Sequence, residues 1–278
     1  MKKLLYLLFA ICLNGCGSDD DGISDTDGTD TQLLVKSINW TFSEGGPLID
    51  YGLEEFTYDG NKIVQVVRTL EDSRGTTVTH TVKYIYTDNL ISRISSYNNN
   101  QELQEQTFLE YDNSDRLIYI EVSKNGQLKY YASLAYGSSN TSFTYTAIGV
   151  SDVNYTETTE CQIDNNGNIV SFEGNGIDEQ SMNCSYDIKH NPFKNIIGKG
   201  TSIGGFFGHQ FSNSISGWFA ENNIITLETI DFNDLATDDD DDLSTYSFSY
   251  DYNKEDYPRN IFWEDNYGGN GTEIIEYY

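Results

Sequence analysis

The sequence predicts an all-β fold: an antiparallel meander of repeated β-hairpins, coiled into a barrel-like or half-open wrap with little helix. Three observations predict it. First, apolar and polar residues alternate, as in Val78, His80, Val82, Tyr84 and Tyr86 on one face and Thr77, Thr79, Thr81 and Lys83 on the other. A period of two over this length means a half-buried strand. Second, each such run ends in an Asp/Asn/Gly cluster, whose side chains bond their own backbone and tolerate the positive φ that reverses a chain. Third, the unit returns, with leading residues Tyr58, Tyr86, Tyr111, Tyr136, Ile163, Tyr186, Phe219 and Tyr250 at intervals of 23 to 33 residues. Periods of this size mark repeat architectures.

In chain order, Met1–Gly15 has a positive start at Lys2 and Lys3 followed by the apolar run Leu4 to Leu13. It reads as a secretory leader, too short for a bilayer span of roughly 20 residues. Leu13-Asn14-Gly15-Cys16 resembles a bacterial lipobox, which implies cleavage before Cys16 and lipidation of that cysteine. Gly17-Ser18-Asp19-Asp20-Asp21 resembles the acidic export signal of surface lipoproteins in the Bacteroidota. That likeness implies an outer-membrane protein facing outward, held by its acyl chains. Residues 16–32 are expected to be an acidic spacer and 33–278 a single β domain.

Within that domain the second strand of each unit opens on Ile or Leu, and Lys124-Asn125-Gly126-Gln127 carries a two-residue hairpin signal. A lone hairpin is marginal in water, so the units must share a sheet and bury one face. About sixteen strands exceed the roughly ten that an open twisted sheet carries without curling or splitting. The tyrosine-rich face is therefore expected inward, with a two-sheet sandwich as the alternative. Glycines interrupt the pattern between Asn191 and Ala220, a stretch expected to cover an end or edge of the sheet, with Ser214 to Ala220 able to form a helical turn or two.

The turn pattern Tyr-Asp-x-x-Gly-x-Ile/Leu resembles the YD repeat of Rhs-type proteins, although several turns lack the glycine. Asn191-Pro192-Phe193-Lys194-Asn195 and Asp256-Tyr257-Pro258-Arg259-Asn260-Ile261 resemble elements of uncharacterised Bacteroidota lipoproteins. These likenesses imply architecture and supply no catalytic residue.

Charge narrows the partners. The chain has 44 acidic and 16 basic residues, a formal charge of −28, and cleavage before Cys16 would remove two lysines and no acid. Such a surface repels phosphate backbones and anionic headgroups, which excludes nucleic acid. The high aromatic content, with 21 Tyr, 14 Phe and 3 Trp, argues for a packed core over a disordered chain.

Candidate sites are few. Gly200-Thr201-Ser202-Ile203-Gly204 matches a nucleophile elbow, but the only downstream histidine is His209 and no parallel α/β pattern surrounds it. A glycine-rich loop is the better reading. His80, His190 and His209 are too scattered for a zinc triad. Asp25, Asp27 and Asp30 have the spacing of an extracellular calcium loop without its terminal Glu, and Asp238, Asp239 and Asp240 form a second oxygen-rich run. Both are weighed against plain solvated linkers. Trp218, Trp263 and Tyr267 are candidates for stacking on a glycan or apolar peptide, weighed against core packing. Cys161 and Cys184 are a possible disulfide, but a meander puts a return strand between them, about 9.5 Å, beyond the roughly 7 Å limit. The leading functional reading is a non-enzymatic binding or structural module. The alternative is a polysaccharide hydrolase using paired carboxylates.

Overall fold

The computed structural model describes residues 32–43, 50–72, 74–138, 141–150, 156–175, 180–198, 220–231 and 242–278. They form sixteen strands in one closed antiparallel barrel. In order these are β1 (Val35–Ser43), β2 (Asp50–Asp59), β3 (Lys62–Glu71), β4 (Thr77–Thr87), β5 (Leu90–Tyr97), β6 (Leu103–Tyr111), β7 (Leu117–Lys124) and β8 (Gln127–Tyr136). There follow β9 (Ser142–Gly149), β10 (Thr156–Ile163), β11 (Ile169–Asn175), β12 (Gln180–Tyr186), β13 (Ile224–Asp231), β14 (Asp242–Tyr252), β15 (Pro258–Asp265) and β16 (Asn270–Tyr277). Each strand pairs with its neighbours in sequence, and β1 closes the ring on β16 through Val35 to Tyr277 and Ile38 to Ile275. The wrap is thus fully closed, and no helix occurs among the described residues.

The turns explain why the chain reverses where it does. Asp72, Asn98, Asp112, Asp164, Asn253 and Asp265 each open a loop of one geometry. In the second of these at the Tyr-Asp end, the Asp164 carboxylate accepts the N–H groups of Asn166 and Asn168, while its own N–H donates to Asn168 O. The fourth residue of each loop has positive φ, whether it is Gly75, Gly167 or Gly268, or the non-glycines Gln101, Asp115 and Asp256. The same Asx bonding is present with and without glycine, and it holds Gln101, Asp115 and Asp256 in the left-handed region. At Asp112 the Arg116 side chain also donates to the carboxylate, and this bond, with the backbone N–H bonds, lowers its pKa. Asn125 and Gly126 both take positive φ, as a two-residue hairpin turn requires.

A bulge recurs beside the Tyr-Asp turns. Tyr58 faces Ile63 but Thr57 faces Gln65, and the same skip occurs after Tyr86, Tyr111, Ile163, Tyr186 and Tyr252. One extra residue on the return strand puts Ile63 and Val66, Ile91 and Ile94, and Leu117 and Ile120 inward at a spacing of three. Bulges bend a strand and increase its twist, which is how a long sheet is brought round to close.

The Tyr of the turn has its own role. Tyr111, Tyr136, Tyr186, Tyr250 and Tyr277 donate their hydroxyls to the main-chain oxygens of Ile91, Leu117, Ile169, Ile224 and Pro258, at 2.5 to 2.9 Å. Each acceptor is the first or second residue of the neighbouring strand, so the phenols form a repeated brace around one end of the ring. Burial raises the pKa of these phenols, so they stay neutral donors. Tyr111→Phe is expected to cost about 0.5–1.5 kcal/mol, the net worth of one such bond, in denaturant unfolding.

One sequence expectation is corrected. The turn signals at Tyr186 and Phe219 are the two ends of a single connection, because Tyr186 ends β12 and pairs with Ile224, the first residue of β13. Asp187 bonds Asn223 as the other aspartates bond their own loops: the Asp187 N–H donates to Asn223 O at 2.9 Å, and its carboxylate accepts the N–H groups of Lys189 and Asn223. An insertion is therefore spliced into an otherwise ordinary turn. Its first part, through Gly198, crosses the turn end of the barrel. His190 N–H donates to Asp256 O, the Asn195 amide to Leu33 O, Ile197 N–H to Asn61 O, and Gly198 O accepts from Ile91 N–H. Phe193, fully buried, packs on Phe56 with ring centroids 5.7 Å apart. Gly198 sits at φ +91, where a Cβ would lie 2.5 Å from Asn89 O. The proposed helix at 214–220 lies outside the described residues, apart from Ala220.

Candidate functional site

The tyrosine-rich face lines the lumen. Phe42 of β1 and Trp263 of β15 face the same glycine of β16, Gly271, and stack over it at 5.4 Å. Side chains two strands apart converge in this way only on a concave surface. Ile38, Ile63, Val66, Ile120, Ala132, Phe143 and Cys161 on this face are at most 1% exposed. The lumen at their level is packed.

The outer wall is the opposite. Outward positions include Thr79 and Lys83 on β4, Glu110 on β6, Glu121 on β7, Thr158, Glu160 and Gln162 on β10, Glu228 on β13, and Ser247, Ser249 and Asp251 on β14. A membrane-spanning barrel alternates the other way, apolar outward and polar inward, and a charge at mid-bilayer on its lipid face costs about 2–4 kcal/mol for Arg or Lys. The same face also exposes Ile85, Phe108, Leu243 and Phe262, set singly among these polar residues.

A charged pair interrupts the apolar lumen. Glu54 on β2 is fully buried, and its Oε1 lies 3.0 Å from Nε of Arg68 on β3. Nε and Nη2 of Arg68 make no hydrogen bond, so at Nε the contact is an ion pair without hydrogen-bond alignment. His80 of β4 is the next residue in the same row. Tyr84 is nearby, its phenol pKa raised by burial, with Arg68 opposing and Glu54 adding. Glu273 of β16 is a second buried carboxylate, opposite Trp40 of β1. The Trp40 indole lies over Gly52, where a Cβ would come within 2.0 Å of it.

Sequence-predicted residues fall as follows. His80 points into the lumen, and His190 lies in the segment crossing the turn end, 5.0 Å from the Tyr257 ring. No group of three or more His, Cys, Asp or Glu among the described residues is arranged to hold a metal ion. Trp263 is buried in the lumen wall, whereas Tyr267, in the turn after β15, is 62% exposed and donates to Leu243 O. Cys161 on β10 and Cys184 on β12 are free thiols with β11 between them, so the possible disulfide is not formed. Burial pushes the Cys161 thiol up to about 12 and the Cys184 thiol up to about 11. Neither should react with iodoacetamide at neutral pH until the protein is unfolded, which mass spectrometry of native and denatured samples checks. The leader and Cys16, Asp25, Asp27, Asp30, Ser202, His209, Trp218, Asp238, Asp239 and Asp240 lie outside the described residues.

Two recesses on the protein were not signalled by any motif. One, of about 650 Å³, lies at the turn end beside β16, among Tyr252, Lys254, Glu255, Arg259, Glu276 and Tyr277. The other, of about 240 Å³, lies on the outer wall over β1. There the outward positions Asn39 and Thr41 are short, while Tyr51 and Leu53 on β2 and Ile274 on β16 stand on either side. Strand spacing puts those two flanks about 9.6 Å apart. Run together in three dimensions, short residues between tall ones make a trough. In one dimension they are ordinary alternation.

Fold and wall together define a closed up-and-down barrel of sixteen strands with a largely polar exterior and a packed interior. No family model matches the chain, and no curated protein matches it in sequence. Solved structures do match. A porin-like protein from Bacteroides vulgatus ATCC 8482 is similar at 11% identity and a TM-score of 0.54, over 88% of this chain and 99% of that one. A porin-like protein from Bacteroides uniformis ATCC 8492 aligns at 9% identity and a TM-score of 0.42, over 88% of this chain and 98% of that one. At such identities the first likeness is one of fold.

Proposed function

We propose that this protein is a non-enzymatic binding module, held at the outer membrane by lipid on Cys16 and facing outward. The observation that carries this reading is the polar outer wall. A barrel whose outward residues are mostly polar is poorly matched to acyl chains, and lipidation at the lipobox-like Leu13-Asn14-Gly15-Cys16 would give it another attachment. Conduction finds no support in a lumen packed with Tyr, Ile and Phe. Acid–base chemistry finds none in Glu54, which is inaccessible and held beside Arg68. The porin-like neighbour supports an outer-membrane setting through its fold, while the wall argues for association with the bilayer over passage through it.

The test is fractionation and surface proteolysis of intact cells carrying the parent chain or Cys16→Ala. The parent should sediment with membranes and be cut by external protease. Cys16→Ala should become soluble. Retention of Cys16→Ala in membranes after an alkaline wash would show a barrel that spans the bilayer and would overturn the proposal.

A further inference from the structure

We infer that the trough over β1 is a binding site for one neutral sugar ring at the end or side of a glycan. The inference rests on the reading that the outer wall faces water. The recess of about 240 Å³ has apolar flanks in Tyr51 and Ile274, which are 51% and 53% exposed and face each other across β1, whereas exposed Ile85, Phe108 and Phe262 stand elsewhere on the wall. Between them lie polar groups of both kinds, the Asn39 amide and the Thr41 hydroxyl, 2.8 Å from that of Thr272, and the Glu71 carboxylate lines the rim beyond Tyr51. Beneath them the wall cannot rearrange freely, because Trp40 fills the space over Gly52 on the inner side.

The occupant follows by chemistry. A sugar ring has C–H faces that pack on an aromatic ring and hydroxyls that both donate and accept, which matches apolar flanks over a hydroxyl and amide floor. Extended peptides commonly dock by adding a strand to a free sheet edge, and this barrel has none. Acidic ligands meet no Lys, Arg or His in the recess and a chain of formal charge −28. Neutral and polyhydroxylated is the class that remains.

The experiment is saturation-transfer NMR on the purified full chain, in a detergent without a sugar headgroup. The probes are the methyl glycosides of glucose, mannose and galactose, with glucuronate and acetyl-leucine amide as the anionic and peptide-like arms. At least one methyl glycoside should bind, and Tyr51→Ala should weaken it about tenfold, the upper range of one ring-stacking contact. Because Tyr51 is half exposed, the thermal midpoint of that variant should hold, and Ile274→Ser should weaken binding likewise. The proposal fails if no glycoside binds, if both variants bind as the parent does, or if glucuronate or acetyl-leucine amide binds more tightly. Binding is read on purified protein, so failure here leaves the cell-fractionation result standing, and the reverse holds too.

Discussion

Arg68→Ala should destabilise the barrel by about 3–5 kcal/mol, because it removes the cation that lies 3.0 Å from the fully buried Glu54 carboxylate. The pair itself is weak support for the fold, since its desolvation offsets much of the attraction and Nε and Nη2 of Arg68 make no hydrogen bond. Replacing both partners with apolar residues of similar volume, as in Glu54→Leu with Arg68→Met, should therefore be near neutral or stabilising. Denaturant unfolding of the single and double variants separates these outcomes. If Arg68→Ala unfolds at the parental midpoint, the carboxylate has access to water or another cation and its burial has been misjudged.

The second large effect is at the turn end. Phe193→Ala should cost about 3–5 kcal/mol, the range for truncating a buried aromatic whose cavity cannot collapse. The loss should also be local. Ile91 and Ile197 have N–H groups bonded to Gly198 O and Asn61 O, so hydrogen exchange should rise there before it rises at strands β7 to β9 on the far side of the ring. Phe193→Leu, which keeps most of the volume, should show much less of either effect. Uniform exchange across all strands would mean that the crossing segment and the barrel unfold as one unit.

The sheet order was legible because its causes are local. Tyr58-Asp59-Gly60 or Tyr111-Asp112-Asn113 reverses the chain through bonds within a few residues, and alternation as in Val78 to Tyr86 assigns faces without any knowledge of partners. The bulges were less legible: Leu117 and Ile120 both point inward, which strict alternation from Ile118 does not foresee. The copies at Tyr186 and Phe219 were misread as two turns, since the Asp187 to Asn223 bond joins residues far apart in sequence. The candidate site was not legible at all. Asn39, Tyr51 and Ile274 are unremarkable where each stands in the chain, and they become walls and floor only when β16 closes on β1.

By itself the sequence determined the elements, their antiparallel succession, the tyrosine-rich inner face and the acidic character of the surface. Each of these depends on residues close together in the chain or on composition alone. Tertiary structure decided the closure of the ring, the burial of Glu54 with Arg68 and the trough over β1. The physical reason is that closure joins the first strand to the last. That pairing sets two residues hundreds of positions apart side by side, and no local preference encodes it.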